Sequence, residues 1–432
     1  MKQLFYIIVL FFAWSACVPV NNSSSSSTSS DKILKNTDWV YEPNIKTVLL
    51  YPFQGNIEDE LKSAAISIDQ DVPLLLSFDQ LLTDYDNFNA KIIHCDYNWE
   101  KSLLSENEYL FAFNEFPIRD YEFSFNTRTS YTHYRFTLPK VKIPGNYLIV
   151  VYRGGNSSDI ILSKRFMVYS DVVKIIPKLE VPSDIGKRRT HQQLNFSINY
   201  GNLEILNPIE DVKVTIKKNE RWDNAITSLK PTFLREAEGI LEYEYFNGEN
   251  NFYGGNEFRF FDLRTINYSG QNISGIKKET NRIDAFVFKD KNRGDEVYGQ
   301  FNDINGDFMI NNLESSPPQT ASEYVNVHFF LEAEQQPTEI YIAGELTNWN
   351  FNNQSLAKYD EELKGYTSTL LLKQGWYNYI YYAPDAPENP YLLEGSHFET
   401  ENKYEFIVYY RAPGSRADQI VGYYLLNYNN RR

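Results

Sequence analysis

The chain has 432 residues, 42% of them hydrophobic and 23% charged, which predicts a globular protein of two or three domains with separate cores. Its formal net charge is −15 and it has no dense Lys/Arg stripe, so it lacks the positive potential needed for nucleic-acid binding, and nucleic acid is excluded as a partner. With 33 Tyr and 29 Phe against 3 Met, the composition favours β-sheets, because aromatic rings pack well on a pleated surface.

The chain begins with a targeting signal. Residues 1–16 contain an apolar run from Leu4 to Trp14, about half the length that a bilayer span needs, and this predicts a cleaved signal peptide. Cys17 follows two small residues, which resembles the lipobox of bacterial lipoproteins, although an aliphatic residue usually occupies the position of Trp14. We predict lipidation at Cys17, with a plain secretory signal cut near Ala16 as the alternative.

A Ser-rich tether follows the signal. Residues 17–38 include VPVNNSSSSSTSSDK, which has too few apolar residues to repay the entropy of ordering and is predicted to be flexible. Cys95 is the only other cysteine, so no internal disulfide is expected once Cys17 is lipidated. The folded part is predicted to begin near Trp39.

The rest of the chain consists of short strand-like segments. Seven of them lie within residues 39–171, among them VPLLLSFDQL, AKIIHCDYNW and GNYLIVVYR, and this spacing is typical of an immunoglobulin-like β-sandwich. Similar segments fill residues 172–318 and, after the linker SSPP, residues 319–432. No amphipathic helix of ten or more residues is apparent. We predict an all-β protein of three tandem β-sandwich domains.

One strand-like segment, FNTRTSYTHYRFTLP, concentrates polar and aromatic residues. Because side chains alternate along a strand, Thr132, Tyr134, Phe136 and Leu138 are predicted to face the core. The opposite face, which carries His133, suits solvent, a neighbouring loop or a partner equally well.

The remaining motifs do not predict an enzyme. His94 and Cys95 are neighbours in a strand and point to opposite faces, so they cannot form a catalytic dyad. No pair of histidines has metal-ligand spacing, and no phosphate-binding loop or nucleophile elbow is present. DINGDF, residues 303–308, has acidic groups at alternate positions, but Asn305-Gly306 is a strong turn dipeptide and favours a turn over a calcium loop.

The segments IKTVLLYP, LLLSFDQL, IIHCDYNWEKSLLSENEYL, IRDYEFSFNTRTSYTHYRFTLP and GNYLIVVY resemble, in this order, the amino-terminal domain of the plug proteins of the Bacteroidetes type IX secretion system. This resemblance covers Ile45 to Val168, and the segments DINGDF, YIAGELTNW and VYYRAPGSRADQIVGYY resemble the rest of that family. The resemblance implies a non-enzymatic periplasmic protein without a cofactor. It would bind the outer-membrane translocon barrel and close its periplasmic opening when no substrate is passing.

A second, looser resemblance concerns IYIAGELTNW, residues 340–349, which is similar to the early-set sandwich of glycogen-binding modules. The third domain is therefore expected to be early-set-like. Trp349 and Trp376 are the candidate glycan-platform residues, with core packing as the alternative role for both.

Three functions remain open. The first is a plug or gating subunit of the secretion translocon, anchored by Cys17 to the inner leaflet of the outer membrane and facing the periplasm. The second is a carbohydrate-binding outer-membrane lipoprotein of a polysaccharide-uptake system. The third is an accessory domain of a glycan-processing enzyme. Exposed coplanar aromatics in a groove would favour the second function, and a flat or loop-rich end surface would favour the first.

Overall fold

The computed structural model describes residues 32–428 except 202, 228 and 387. Its helices are single turns, α1 Glu106–Tyr109, α2 Pro208–Asp211 and α3 Pro318–Ala321, and its 3-10 turns are Ile57–Leu61, Ile185–Lys187, Glu236–Glu238 and Glu345–Thr347. Across the described residues, no helix is long and apolar enough to cross a membrane. The prediction of an all-β sandwich fold is confirmed; the predicted signal peptide and Cys17 lie outside the described residues.

Residues 39–169 form the first sandwich. Its strands are β1 Trp39–Val40, β2 Ile45–Pro52, β3 Ala65–Ser67, β4 Leu74–Gln80, β5 Phe88–Cys95, β6 Phe116–Ile118, β7 Asp120–Phe123, β8 Thr132–Thr137, β9 Gly145–Arg153 and β10 Ile160–Tyr169. One sheet has the order β1-β10-β9-β5-β6 with β3 beside β10, and the other has the order β2-β4-β8-β7. Phe78, Ile92, Tyr134 and Ile149 lie in the core between the two sheets.

The remaining strands belong to two further sandwiches. They are β11 Lys174–Glu180, β12 His191–Asn199, β13 Val212–Lys218, β14 Phe233–Arg235, β15 Ile240–Tyr243, β16 Asn251–Tyr253, β17 Arg259–Asp262, β18 Ile273–Lys278, β19 Ile283–Val287, β20 Asp290–Lys291, β21 Phe308–Ile310, β22 Tyr324–Glu332, β23 Ile340–Ala343, β24 Leu356–Asp360, β25 Gly365–Lys373, β26 Gly375–Tyr382, β27 Asn402–Tyr410 and β28 Gln419–Tyr428.

The second sandwich combines residues 174–253 with residues 402–428. One of its sheets has the order β11-β12-β15-β14, with β16 beside β12, and the other has the order β13-β27-β28. Strand β13 pairs with β27 from Val212 opposite Tyr410 to Lys218 opposite Tyr404. The last two strands of the chain thus complete a sandwich that begins more than 200 residues earlier.

The third sandwich, residues 259–382, is a ten-stranded sheet folded over one core. Its order is β17-β26-β23-β24-β25-β22-β19-β18, with β20 beside β22 and β21 beside β26. Phe261, Val327, Phe329 and Tyr379 lie in its core.

The sheets do not follow the predicted units 172–318 and 319–432. Strands β13 and β27 pair across that boundary, and so do β17 with β26 and β19 with β22. Sequence patterns group consecutive strands, whereas the hydrogen-bonding partner of a strand can lie far away along the chain. We propose the division 39–171, 172–258 with 402–428, and 259–401.

The three sandwiches pack against one another and are not arranged in series. The outer face of β9, with Leu148 and Val150, shares a cluster with Ile407 of the second sandwich. On the other sheet of the first sandwich, Leu49 and Leu75 belong to the core cluster of the third sandwich. Both outer faces of the first sandwich are therefore covered by the rest of the chain.

Candidate functional site

A buried ion pair joins the first and third sandwiches. The Lys373 Nζ atom at the end of β25 lies 2.6 Å from Asp79 Oδ2 in β4, and the side chains are 0% and 1% exposed. Tyr324 donates its hydroxyl to the same oxygen at 2.7 Å, and His133 Nδ1 lies 2.6 Å from Asp79 Oδ1. Burial favours a raised pKa at Asp79, but Lys373 and His133 outweigh it and hold that pKa below its ordinary value.

This cluster shows what the polar face of β8 contacts. Tyr134 and Leu138 lie in the core of the first sandwich, as the alternation predicts. On the opposite face, Tyr131 donates its hydroxyl to the carbonyls of Gln319 at 3.2 Å and Ser322 at 3.0 Å. The face therefore contacts the segment that leads into the third sandwich of the same chain. The contact is made by hydrogen bonds, which require well-aligned donors and acceptors.

The loop before β8 strengthens the same interface. Arg128 donates its backbone N–H to Glu323 Oε2 at 2.9 Å, and its guanidinium lies 3.1 Å from Glu323 Oε1. The backbone N–H of Phe125 donates to the carbonyl of Thr320 at 3.1 Å. Backbone and side-chain contacts together fix the orientation of the first sandwich relative to the third.

A second polar cluster lies where all three sandwiches meet. Lys164 Nζ in β10 is 2.9 Å from both Glu345 Oε1 and Asn348 Oδ1 of the third sandwich. Ser63 of the first sandwich donates to Glu405 Oε1 of the second at 2.8 Å, and Lys217 Nζ is 2.8 Å from Glu405 Oε2. The ion pair of Lys164 with Glu345 thus joins the first sandwich to the third, and the hydrogen bond from Ser63 to Glu405 joins the first sandwich to the second.

A tryptophan-lined cleft opens beside this cluster. Its volume is about 370 Å³, and Trp39, Trp222 and Trp349 lie on its wall together with Arg165 and Glu345. The rings already have cationic neighbours, since the Arg165 guanidinium lies 4.8 Å from the centre of the Trp222 ring. Such contacts stabilise the cleft walls by cation–π attraction.

The two predicted platform tryptophans lie in different places. Trp349 lines the cleft, and its ring has the Arg221 guanidinium 4.0 Å from its centre. Trp376 lies in β26, outside the cleft, where it stacks on Phe260 at 4.7 Å and has the guanidinium of Arg264 5.4 Å from its ring centre. The structure does not bring them together as one platform, and part of each indole surface already contacts other side chains.

The residues considered for catalysis have structural roles. His94 packs against Tyr147 at 4.9 Å, while Cys95 lies in the cluster between the first and second sandwiches, so the two point to opposite faces as predicted. Burial raises the pKa of Cys95 to about 12 and lowers that of His94 to about 4. The thiol therefore stays protonated at neutral pH, and the imidazole on the opposite face cannot accept its proton, as the base of a nucleophile–base pair must.

The predicted turn at residues 303–308 is confirmed. Asn305 and Gly306 both have positive φ, and Asp303 Oδ1 accepts the backbone N–H of Asn305 at 2.8 Å. Among the described residues, no group of three or more His, Cys, Asp and Glu side chains is placed to hold a metal ion. The Asp303 carboxylate therefore stabilises the turn.

Sequence patterns alone missed Asp79 and Lys373. Each is the one charged residue of its strand, within LLLSFDQL and TSTLLLK. A charge at a position that would be buried in a sheet is a signal for a buried partner, because an unpaired charge there is too costly. The partner itself could not be identified from strand patterns.

Comparison with known proteins identifies the first sandwich. The family model described as "Type 9 secretion system plug protein 1st domain" matches residues 45–170. A crystal structure of a hypothetical protein from Parabacteroides merdae ATCC 43184 has 30% sequence identity and a TM-score of 0.86, and the match covers 92% of this chain and 100% of that chain. The shared fold therefore extends over nearly the whole chain.

Two further solved structures share little with this chain. The alkylpurine DNA glycosylase AlkC of Pseudomonas fluorescens has 11% identity, a TM-score of 0.17 and coverage of 29% of this chain and 30% of that chain. The alpha-2-macroglobulin of Escherichia coli has 11% identity, a TM-score of 0.16 and coverage of 89% and 31%. No curated protein matches the chain. From the domain match and the full-length relative, the chain belongs to the family of type IX secretion system plug proteins.

Proposed function

We propose that this protein is a non-enzymatic periplasmic subunit that closes the outer-membrane translocon barrel of the type IX secretion system when no substrate is passing. The observation that carries the proposal is membership of the plug protein family. The alternative of an accessory domain of a glycan-processing enzyme has no comparable support.

The way the sandwiches are joined supports this function. A body that closes an opening must keep its shape, and here both outer faces of the first sandwich are covered. Sliding one sandwich past another would separate Lys373 from Asp79 and leave buried charges unpaired, which costs several kcal/mol, on the order of 3–5. The junction chemistry therefore favours a single rigid block.

The predicted lipid at Cys17 supports a location beside the membrane. Of the predicted tether, residues 17–31 lie outside the described residues. The prediction of flexibility is wrong for residues 32–38, because Lys32 Nζ lies 2.7 Å from Glu42 Oε1 and 2.6 Å from Asp159 Oδ1, and Ser163 donates its hydroxyl to the carbonyl of Thr37 at 2.8 Å. A lipid in the inner leaflet of the outer membrane would keep the folded body at high local concentration next to an outer-membrane partner.

Affinity purification from detergent-solubilised outer membrane tests the proposal. The translocon barrel is expected to co-purify with the tagged protein from secretion-competent cells. A matched purification from cells that lack the barrel controls for non-specific recovery. Repeated absence of the barrel from the tagged sample, with the tagged protein recovered intact, would contradict the proposed function.

A carbohydrate-binding lipoprotein is the second candidate, favoured by the tryptophans, carboxylates and asparagines that line the cleft. Against it, the Trp349 indole already has a guanidinium over its ring, and a sugar stacks on a free aromatic face. Titration calorimetry with polysaccharide fragments tests this function. Binding that is lost in W349A, while folding is unchanged, would support it.

A further inference from the structure

One loop of the first sandwich presents large apolar side chains to solvent. We name residues 101–115 the apolar loop. Leu103, Phe111 and Phe113 are 74%, 72% and 79% exposed, although they lie within eleven residues of one another. Single exposed apolar residues are ordinary on protein surfaces, whereas several from one loop mark an interaction site.

The apolar loop is held firmly against the sheet. Asn114 accepts the backbone N–H of Ile92 and donates to its carbonyl, both at 2.8 Å, and so satisfies the backbone of β5 beyond the residues that pair with β6. Tyr109 is buried and donates its hydroxyl to the same carbonyl at 3.1 Å. Lys142 Nζ donates to the carbonyl of Asn107 at 2.6 Å.

This anchoring has an energetic consequence. An apolar side chain that becomes buried on docking is stabilised by the hydrophobic effect, and a loop that is already ordered avoids most of the entropy cost of docking. Exposed aromatic side chains on a fixed backbone are therefore pre-organised to act as the anchors of an interface.

The position of the loop limits what it can bind. The outer faces of the first sandwich are covered by the second and third sandwiches, so the apolar loop, which connects β5 to the edge strand β6, is a part of the family-matched domain that stays open to a partner. Strand β7 is another open edge, but its charged residues Asp120 and Glu122 pair with Arg135.

Charge distinguishes a protein partner from a lipid surface. Around the apolar loop, four carboxylates are balanced by four cationic groups, and the whole chain has a net charge of −15. Loops that insert into anionic bilayers need an excess of Lys and Arg, which this loop lacks. The charged residues of and around the loop are Glu100, Glu106, Glu108, Glu115, Lys91, Lys101, Lys142 and Arg416.

We infer that the apolar loop docks into an apolar pocket on the periplasmic side of the translocon barrel, with Leu103, Phe111 and Phe113 as the anchors. This inference rests on the proposed function, because it names the surface through which the plug is held. The pocket is expected to have a neutral or basic rim, because the whole chain carries a net charge of −15.

The variant L103S/F111S/F113S tests this assignment. The matched control is L206S/F233S/F246S, which changes three exposed apolar residues of the second sandwich, 86%, 60% and 80% exposed. Both variants replace solvent-exposed side chains, so both are expected to fold, and equal thermal midpoints would verify this. We expect recovery of the barrel with the loop variant to fall at least about tenfold, with no change for the control.

Other results would overturn the inference or the proposed function. If the loop variant recovers as much barrel as the wild type, the inference is overturned while the proposed function stands. If the wild type itself recovers none, the proposed function fails.

Flotation with phosphatidylethanolamine–phosphatidylglycerol vesicles and light scattering complete the test. Loop-dependent vesicle binding or loop-dependent dimerisation, without an effect on barrel recovery, would assign the loop to lipid or to a second copy and overturn the inference.

Discussion

The ammonium group of Lys373 lies 2.6 Å from the carboxylate of Asp79, although 294 residues separate them in the chain. The pair connects β25 of the third sandwich to β4 of the first. Both charges are removed from water, which is tolerated only because Tyr324, His133 and the carbonyl of Gln319 supply further partners.

Removing the ammonium group is expected to destabilise the protein strongly. In K373M, Asp79 stays buried without its main cationic partner, so the free energy of unfolding should fall by about 3–5 kcal/mol. Chemical denaturation followed by tryptophan fluorescence measures the change. The control is K140M, which breaks a solvent-exposed pair with Asp71 and should cost far less, because surface ion pairs contribute little to stability. Equal stability of the two variants would show that the buried pair does not hold the junction.

Much of the first sandwich could be predicted from its sequence. Alternation of side chains along GNYLIVVYR places Tyr147, Ile149 and Val151 on one face of a strand, and all three lie in the core of the first sandwich. The pattern did not explain why the opposite face, Leu148 and Val150, is also apolar. Those residues pack against β27 and β28, which no local pattern connects to β9.

The candidate site was less accessible to sequence reasoning for the same physical reason. A buried charge such as Asp79 shows in a strand pattern, but its partner is determined by how whole sandwiches pack. The packing of the sandwiches also forms the tryptophan-lined cleft, and it leaves the apolar loop exposed. The family resemblance could be seen because it rests on ordered local motifs, which the match over residues 45–170 confirms.

Stability should depend on pH through Glu60. Its carboxylate accepts the backbone N–H of Ile310 at 3.2 Å across the interface with the third sandwich, and burial raises its pKa to about 7. The ordinary pKa is 4.5, so the folded state binds the proton more tightly than the unfolded state. The contribution of this group to stability is therefore present below pH 4.5 and is lost as pH rises towards 7.

The variant E60Q isolates this effect, because glutamine imitates the protonated form. We expect E60Q and the wild type to have similar free energies of unfolding at pH 5, and E60Q to be more stable at pH 8. Urea denaturation at both pH values measures the difference. A wild type that gains stability relative to E60Q as pH rises would contradict the assigned direction.

Cys95 should be inert in the native protein. Its side chain is 1% exposed, and burial raises its pKa to about 12, so almost no thiolate is present at neutral pH. A polar thiol reagent is expected to leave it unmodified for hours and to label it fully after denaturation. Mass spectrometry of a fragment that comprises residues 32–428 follows the reaction without Cys17. Labelling of the native protein within minutes would disprove the burial of this thiol.

Lipidation is predicted at Cys17. Cells grown with a clickable fatty-acid probe should yield labelled wild-type protein, and C17A should be unlabelled and released from the membrane fraction. Labelling that persists in C17A, or an unlabelled wild type, would favour the plain secretory signal cut near Ala16.

A permeability assay with and without the translocon barrel tests whether the protein acts by occupying an opening. Deleting the gene is expected to leave secretion largely working while the outer membrane becomes leaky to a medium-sized dye, and the leak should disappear when the translocon barrel is also deleted. A leak that persists without the barrel, or a deletion whose only defect is growth on one polysaccharide, would contradict the plug function.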